Sequence, residues 1–456
     1  MVSSVINEYS YDEKNVNEKS KIKIESESKN AGVMKKLLLG LGFWVQGFRC
    51  FPWMGVIFYL KDGLRVDPST IQILQNSANL PMIAKPFYGI VSDSFYIFGQ
   101  HRIPYIAIGA FLQAVAWISI ALSSTSVSFF TITMFLLLGN LGASIVEVAN
   151  DAIVAETGTS KNFKSSSAGE LQSFVWMAGS IGGVVGNLVG GIAIDKFSPK
   201  LMFFAYGVLL SIQFLITVCV HESSLHLPSC SANNGIRKQL SELLAALSKP
   251  EIFYSIAWLA ISYAAIPSLT GTMFFYQTQQ LYIESSVLGL SKVVGQAAML
   301  LWGIVYNQRL KKVPSRKLLS AIQVVMAIFM LSDFLFVKGV YRMMGLPDSL
   351  YVVVVSGVLE ILIFFKILPF TVMMSKLCPL GCEGSLMAFL TSVIALAMMV
   401  SGYLGVALAS YVQVTGNNFS GLPYGLVIQA ACTLLPLIWT SWVHDDKEPH
   451  TKSKEN

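Results

Sequence analysis

Apolar and polar positions in this chain alternate in long blocks rather than in short periods. The first apolar block runs from about Lys36 to Leu60, and a second opens at Asp67-Pro68-Ser69-Thr70, an N-cap with Pro at the first helical position. Further blocks cover Ile103–Leu122 and Phe129–Ala155, a fifth starts near Glu170 and a sixth ends near Val220. A polar stretch from His221 to Pro250 then separates six more, at about 251–280, 285–306, 318–337, 348–374, 385–410 and 422–443. A helix needs about 20 apolar residues to cross the hydrocarbon layer. The pattern therefore predicts an all-α membrane protein with twelve transmembrane helices in two six-helix bundles.

The polar residues inside these blocks are few, and they are placed with helical spacing. Glu147 and Asp151 lie four apart in the fourth block, so they stack on one face, which Asn150 widens. An ionised acid in hydrocarbon costs about 2.5–3.5 kcal/mol on insertion scales, so it faces either a cationic partner or a wet cavity. Both readings stand at this stage: a structural ion pair, or a substrate, proton or gating site. Gln46, Arg49 and Trp53 share a face of the first helix, and Arg49 is too deep to snorkel easily, making it a contact for an anion or for the acids of helix 4. In helix 2, Gln72, Asn76 and Asn79 form a polar stripe, with Lys85 beyond it. Helix 8 carries Lys292 and Gln296 on one face, and helix 10 carries Glu360 and Lys366. Pro52 and Pro267 interrupt helices 1 and 7. Glycines 182, 186 and 190 recur every fourth residue in helix 5, the spacing of close helix packing.

Composition sharpens this picture by exclusion. Hydrophobic residues make up 54% of the 456, charged residues only 13%, and mean hydropathy is +0.60, values far from a soluble protein. The net charge of +6 is spread between spans, so nucleic acid is not a partner; the lipid bilayer is. None of the five histidines lies inside a block and the six cysteines are scattered, which argues against an intramembrane enzyme, a metal site or a cofactor. Cys378 and Cys382 flank a short loop without further ligands nearby. Residues 1–35 read as a disordered cytosolic tail with neither transit-peptide nor secretory-signal character.

The two blocks of six echo each other. Gly89-Ile-Val-Ser-Asp93 returns as Gly303-Ile-Val-Tyr-Asn307, and Glu147 is matched by Glu360, with nearly constant offsets of 214 and 213 residues. This implies parallel repeats about an axis along the membrane normal. The expected organisation is a tail at 1–35, a first bundle at 36–222, a cytosolic linker at 223–250, a second bundle at 251–444 and a C-tail at 445–456. Lys and Arg concentrate in the loops on the side of both termini, 307–317 being the richest, which places both termini in the cytosol.

Several stretches resemble known families. Gly89, Asp93 and Arg102, a glycine, an acid four later and then a base between helices 2 and 3, resemble the signature loop of the major facilitator superfamily. Lys85 to Ser94 followed by Phe98-Gly99, Asp151-Ala-Ile-Val-Ala-Glu156, and Gly169-Glu-Leu-Gln-Ser173 are similar to the folate–biopterin transporter family, most of all to plant members. Gln100-His101-Arg102 supplies one fixed charge where that family often has several arginines, and Glu147 stands where aspartate is common.

The resemblance implies the major facilitator fold and alternating-access transport of folates or pterins, often proton-coupled, with helices 1, 2, 4 and 5 facing 7, 8, 10 and 11. On that reading the cargo is a small anionic or heterocyclic molecule. Its contacts and the proton-coupling groups are Gln46, Arg49, Asn76, Lys85, Glu147, Asp151, Lys292 and Glu360. Gly89, Asp93 and Arg102 form a gate. The alternatives are a facilitator-fold transporter of a different organic anion and a non-transporting membrane sensor or scaffold. A monomer in the plasma membrane or an endomembrane is expected, ahead of the plastid envelope.

Overall fold

Proline decides where the helices of this chain break. The computed structural model describes residues 32–123, 128–159, 165–225, 236–377, 383–416 and 418–444. Helix α1 covers 32–63 and is interrupted at Arg49. Pro52 has no N–H for the carbonyl four residues back, and at the break Arg49 N turns to Gln46 O at 3.4 Å. Helix α2 (68–94) starts on the Asp67 cap, whose carboxylate accepts from Thr70 N at 2.9 Å, and tightens into a 3₁₀ segment over Leu80–Ala84. Then follow α3 (Ile103–Leu122), α4 (Phe129–Thr159), α5 (Ser165–Lys196) and α6 (Pro199–Cys219).

After a short helix at Ile236–Leu247, α7 (250–280) is broken at Pro267, between Pro250–Ala264 and Thr270–Phe275. Next come α8 (Ser285–Gln308), α9 (Ser315–Val337), α10 (348–377), α11 (Glu383–Tyr411) and α12 (422–442). Pro369 takes the donor from the Phe365 carbonyl in α10, and Trp302 Nε1 replaces it at 3.1 Å. Nine helices among the described residues are long and apolar enough to cross a membrane. The broken stretches α1, α2 and α7 are not among these nine.

The internal repeat is visible in backbone detail. Both α1 and α7 end in a π turn, Tyr59–Gly63 and Tyr276–Gln280. Each turn is followed by a residue in the left-handed region at φ 52°, Arg65 and Tyr282.

Within the first half α3 packs along α4 and α6; within the second α9 packs on α12 and α8 on α10. The halves meet along two lines, α5 against α8 and α2 against α11. Lipid tails are as apolar as leucine, so close van der Waals fit must hold such helices together. Helix α5 achieves it with glycine on two sides. A methyl on Gly182 would overlap the Trp44 carbonyl of α1, and one on Gly191 would come within 3.0 Å of Gly289 Cα and Ser285 O of α8.

Candidate functional site

The break in α1 sets the site. It leaves Arg49 at a turn facing α4, where its Nη1 donates to Glu147 Oε1 at 3.0 Å. From α2, Lys85 Nζ reaches the other oxygen, Oε2, at 2.7 Å. One buried carboxylate, its side chain 8% exposed, thus ties three helices through two cations. Both oxygens are neutralised, which offsets the cost of placing the acid at this depth. Asp151, one turn further along α4, is exposed and joins neither cation in a salt bridge.

Behind this clamp a small cavity, with room for about one water, is lined by Gln46, Arg49, Gln113, Glu147 and Gln213 together with apolar residues such as Val45 and Val146. Gln46 Oε1 and Gln213 Oε1 are buried without a protein hydrogen-bond donor. Asn150 is buried against Gly42, its side-chain amide likewise unpartnered.

The second half holds a different pair. Lys292 Nζ of α8 meets Glu360 Oε1 of α10 at 2.6 Å, with 34% and 43% of the two side chains exposed. Glu360 is therefore held by one cation and partly exposed, whereas Glu147 is held by two and buried. Deeper in the same half, Lys366 is fully buried and its ammonium donates to neutral acceptors: Ser262 O at 2.8 Å, Ser262 Oγ at 3.0 Å and Gln323 Oε1 at 3.1 Å. Its ammonium also lies 4.0 Å from the centre of the Tyr263 ring.

Asn76 does not point into either cluster. It packs against Gly402 of α11, in the seam between the halves, with its Nδ2 buried and unpartnered. Its neighbour on the polar stripe, Gln72, does more. Gln72 Nε2 donates to Ser268 O at 2.7 Å and Gly402 O at 2.8 Å, while its Oε1 accepts from Gly271 N at 3.2 Å. Ser268 and Gly271 flank the break in α7, where the backbone has freed groups to offer. Nearby, Phe58 of α1 and Phe274 of α7 stack edge to face at 5.4 Å, with Lys61 Nζ over both rings. The halves are thus joined at the end of the molecule that carries the 64–67 and 281–284 turns.

At the opposite end, the α2–α3 loop is held within the first half. Arg102 is buried and donates to Ser92 Oγ at 2.5 Å. Glu222 Oε2 accepts from both His101 N, at 2.5 Å, and Arg102 N, at 3.0 Å. A methyl on Gly89 would meet only Val148 Cγ1, at an ordinary 3.6 Å, so close packing does not require glycine there in this conformation. The Asp93 side chain and the Cys378–Cys382 corner lie outside the described residues, as do residues 1–31 and 445–456.

Gln72 and Glu222 are the residues that the sequence left without a role. Gln72 was legible as one polar position in a stripe, but its partners are backbone carbonyls that carry no sequence signal. Glu222 sits past the end of α6 and had no motif to mark it. Among the described residues no cluster of three or more His, Cys, Asp or Glu side chains is arranged to hold a metal.

The model of the BT1 family matches residues 46–456. Probable folate-biopterin transporter 7 of Arabidopsis thaliana is 61% identical over 420 residues, covering 92% of this chain and 95% of its own. The folate-biopterin transporter of a Synechocystis species is 27% identical over 399 residues, 87% and 78% of the two chains. Among solved structures, a D-xylose–proton symporter superposes with a TM-score of 0.66 at 16% identity, covering 91% of this chain and 98% of its own. The nucleoside transporter NupG superposes with a TM-score of 0.65 at 16% identity, covering 91% and 99%. These structural neighbours establish the fold as that of the major facilitator transporters, and the named relatives are transporters rather than enzymes. A helical, multi-pass membrane chain with this two-half architecture, matched from Gln46 to its last residue, belongs to the BT1 family of membrane transporters.

Proposed function

We propose that the protein carries a folate- or pterin-like anion across a membrane by alternating access, and that Glu360 rather than Glu147 is the acid that exchanges its partner during the cycle. The names of the relatives support the cargo class. The unequal environments of the two acids support the division of labour. Glu147 is gripped from α1 and α2 at once, so releasing it leaves two partly buried cations without their counter-charge; it acts as a fixed brace of the first half. Glu360 has one cation and an exposed flank. When Glu360 takes up a proton, Lys292 loses its counter-charge and can receive a carboxylate of the substrate. When the proton leaves, Glu360 recovers Lys292 and the substrate carboxylate is expelled. The pair gains one positive charge with the proton and the incoming carboxylate cancels it, so the site stays neutral and one proton is coupled to one bound carboxylate.

In this reading the halves rock about the α5–α8 and α2–α11 seams, and α1, α2 and α7 count as spans, giving twelve. Both termini face the cytosol, so the Gln72 clamp and the Phe58–Phe274 contact form the outer gate. Arg102, Ser92 and Glu222 brace the loop beside the inner one. The membrane is the plasma membrane or an endomembrane, and the carrier works as a monomer.

The test is transport by purified protein in vesicles. Wild-type protein should exchange labelled folate or pterin in counterflow and accumulate it under an inward proton gradient. Glu360→Gln should keep counterflow and lose gradient-driven accumulation. Accumulation in Glu360→Gln equal to wild type would remove the coupling role, and absence of both folate and pterin counterflow in the wild type would assign the cargo to another organic anion.

A further inference from the structure

We infer that the helix joining the two halves lies on the bilayer surface, with Leu240 and Leu244 among the acyl chains of a leaflet bearing anionic headgroups. In the helix Ile236–Leu247, residues 240, 243, 244 and 247 are leucines and fall within about 100° of one face. Half of that face is used by the protein. Leu243 is 7% exposed, and together with Leu247 it packs into a core cluster with Ile252, Ile256 and Leu386. The other half is bare, Leu240 being 45% exposed and Leu244 56%. Burying a leucine completely stabilises by about 1.5–3 kcal/mol, so two bare ones, continuous with a covered pair, point to an apolar medium alongside.

Three features identify that medium as lipid. The bare face continues onto α7, where Phe253 and Tyr254 are also exposed. From there a row of rings runs round this end of the second half: Phe253–Tyr254 at 5.8 Å, Tyr254–Trp442 at 5.6 Å and Trp442–Trp439 at 6.3 Å. Tyr and Trp rows of this kind sit at the headgroup level of a membrane. Finally, exposed basic residues ring the same end, Lys249 before α7 and Lys311, Lys312 and Lys317 in the α8–α9 turn. That turn is fixed to the same end because Arg316 donates to Val443 O at 2.8 Å and His444 N donates to Ser255 Oγ at 3.1 Å, joining the starts of α9 and α7 to the end of α12. Apolar side chains below and cations at headgroup height match an anionic leaflet.

The experiment places a nitroxide at Leu244 through a bioorthogonal amino acid, leaving the six native cysteines untouched. The full chain is reconstituted in phosphatidylcholine vesicles with and without phosphatidylglycerol. Collision with dissolved oxygen should exceed collision with a water-soluble nickel chelate at Leu244, and the ratio should reverse at the exposed Ala245 on the opposite face. Removing the anionic lipid should lower the Leu244 ratio. A nickel preference at Leu244 would put the face in water. Shielding from both reagents would mean that protein covers it, a second copy or a partner. Either result overturns the inference, and a ratio indifferent to anionic lipid overturns its headgroup part. The same label at Leu240 repeats the measurement should Leu244 prove intolerant.

Discussion

Replacing Gln72 by leucine should unlock the end of the molecule at which the two halves are joined. The side chain makes three hydrogen bonds from α2 to the other half, at 2.7, 2.8 and 3.2 Å. Leucine matches its bulk but makes none of them. Net contributions of neutral bonds run at about 0.5–1.5 kcal/mol each, so the joined state loses about 1.5–4.5 kcal/mol. When the halves part, Ser268 O and Gly271 N meet water whether residue 72 is Gln or Leu, so the loss falls on the joined state alone. At 1.4 kcal/mol per tenfold, the equilibrium moves toward the parted state by about 10- to 1,000-fold. Spin labels at Asp62 and Tyr282, both exposed and one on each half, report the separation. The wild type should give one short distance by pulsed electron resonance, and Gln72→Leu should add a longer one as a major population. Identical distance distributions in the two proteins, in the same lipid, would refute the claim that Gln72 holds the halves together.

The unequal acids should differ in stability as well as transport. Glu147→Gln leaves two partly buried cations without their counter-charge and should cost about 2–4 kcal/mol, against less than about 1 kcal/mol for Glu360→Gln in its exposed pair, read as thermal unfolding of the detergent-solubilised protein; equal shifts would contradict the assignment. Gly191→Ala forces a methyl to within 3.0 Å of two backbone atoms of α8 and should destabilise by about 1–3 kcal/mol in the same assay. Gly303→Ala meets nothing within 4 Å and should stabilise slightly through helix propensity. Lys366→Met, which keeps the volume of a side chain bonded only to neutral acceptors, should cost less than about 1.5 kcal/mol, whereas Lys366→Ala should cost about 2–5 kcal/mol through the cavity it leaves.

What could be read in advance was whatever depends on spacing along one helix. Glu147 needed a cation or a wet cavity and Arg49 an anion, so a pair between them was one of the two readings the spacing left open, and the structure makes that pair at 3.0 Å. The glycines of α5 announced close packing, and Pro52 and Pro267 announced breaks, because a missing N–H acts locally. Spacing could not say which neighbours would face each other. Lys85 was legible as a cation on α2, but its place on the second oxygen of Glu147 depends on how α2 rotates after the 3₁₀ segment at Leu80–Ala84. Gln72 and Asn76 looked alike in sequence, yet one finds two open carbonyls and a free N–H while the other lands on Gly402. Nine stretches among the described residues are long and apolar enough to span by themselves, and α1, α2 and α7 fall outside that set because apolar length does not reveal how far a proline-broken helix departs from a single rod.

Helix α5 touches α1 at Gly182 and α8 at Gly191, main chain against main chain. A surface without protruding side chains has nothing to interlock, so one rod can glide over the next while every rotamer stays where it was. On the proposed rocking stroke, resistance is then gathered at the end where Gln72 joins the halves, in a polar catch that water can open, and the long middle behaves as a lubricated bearing.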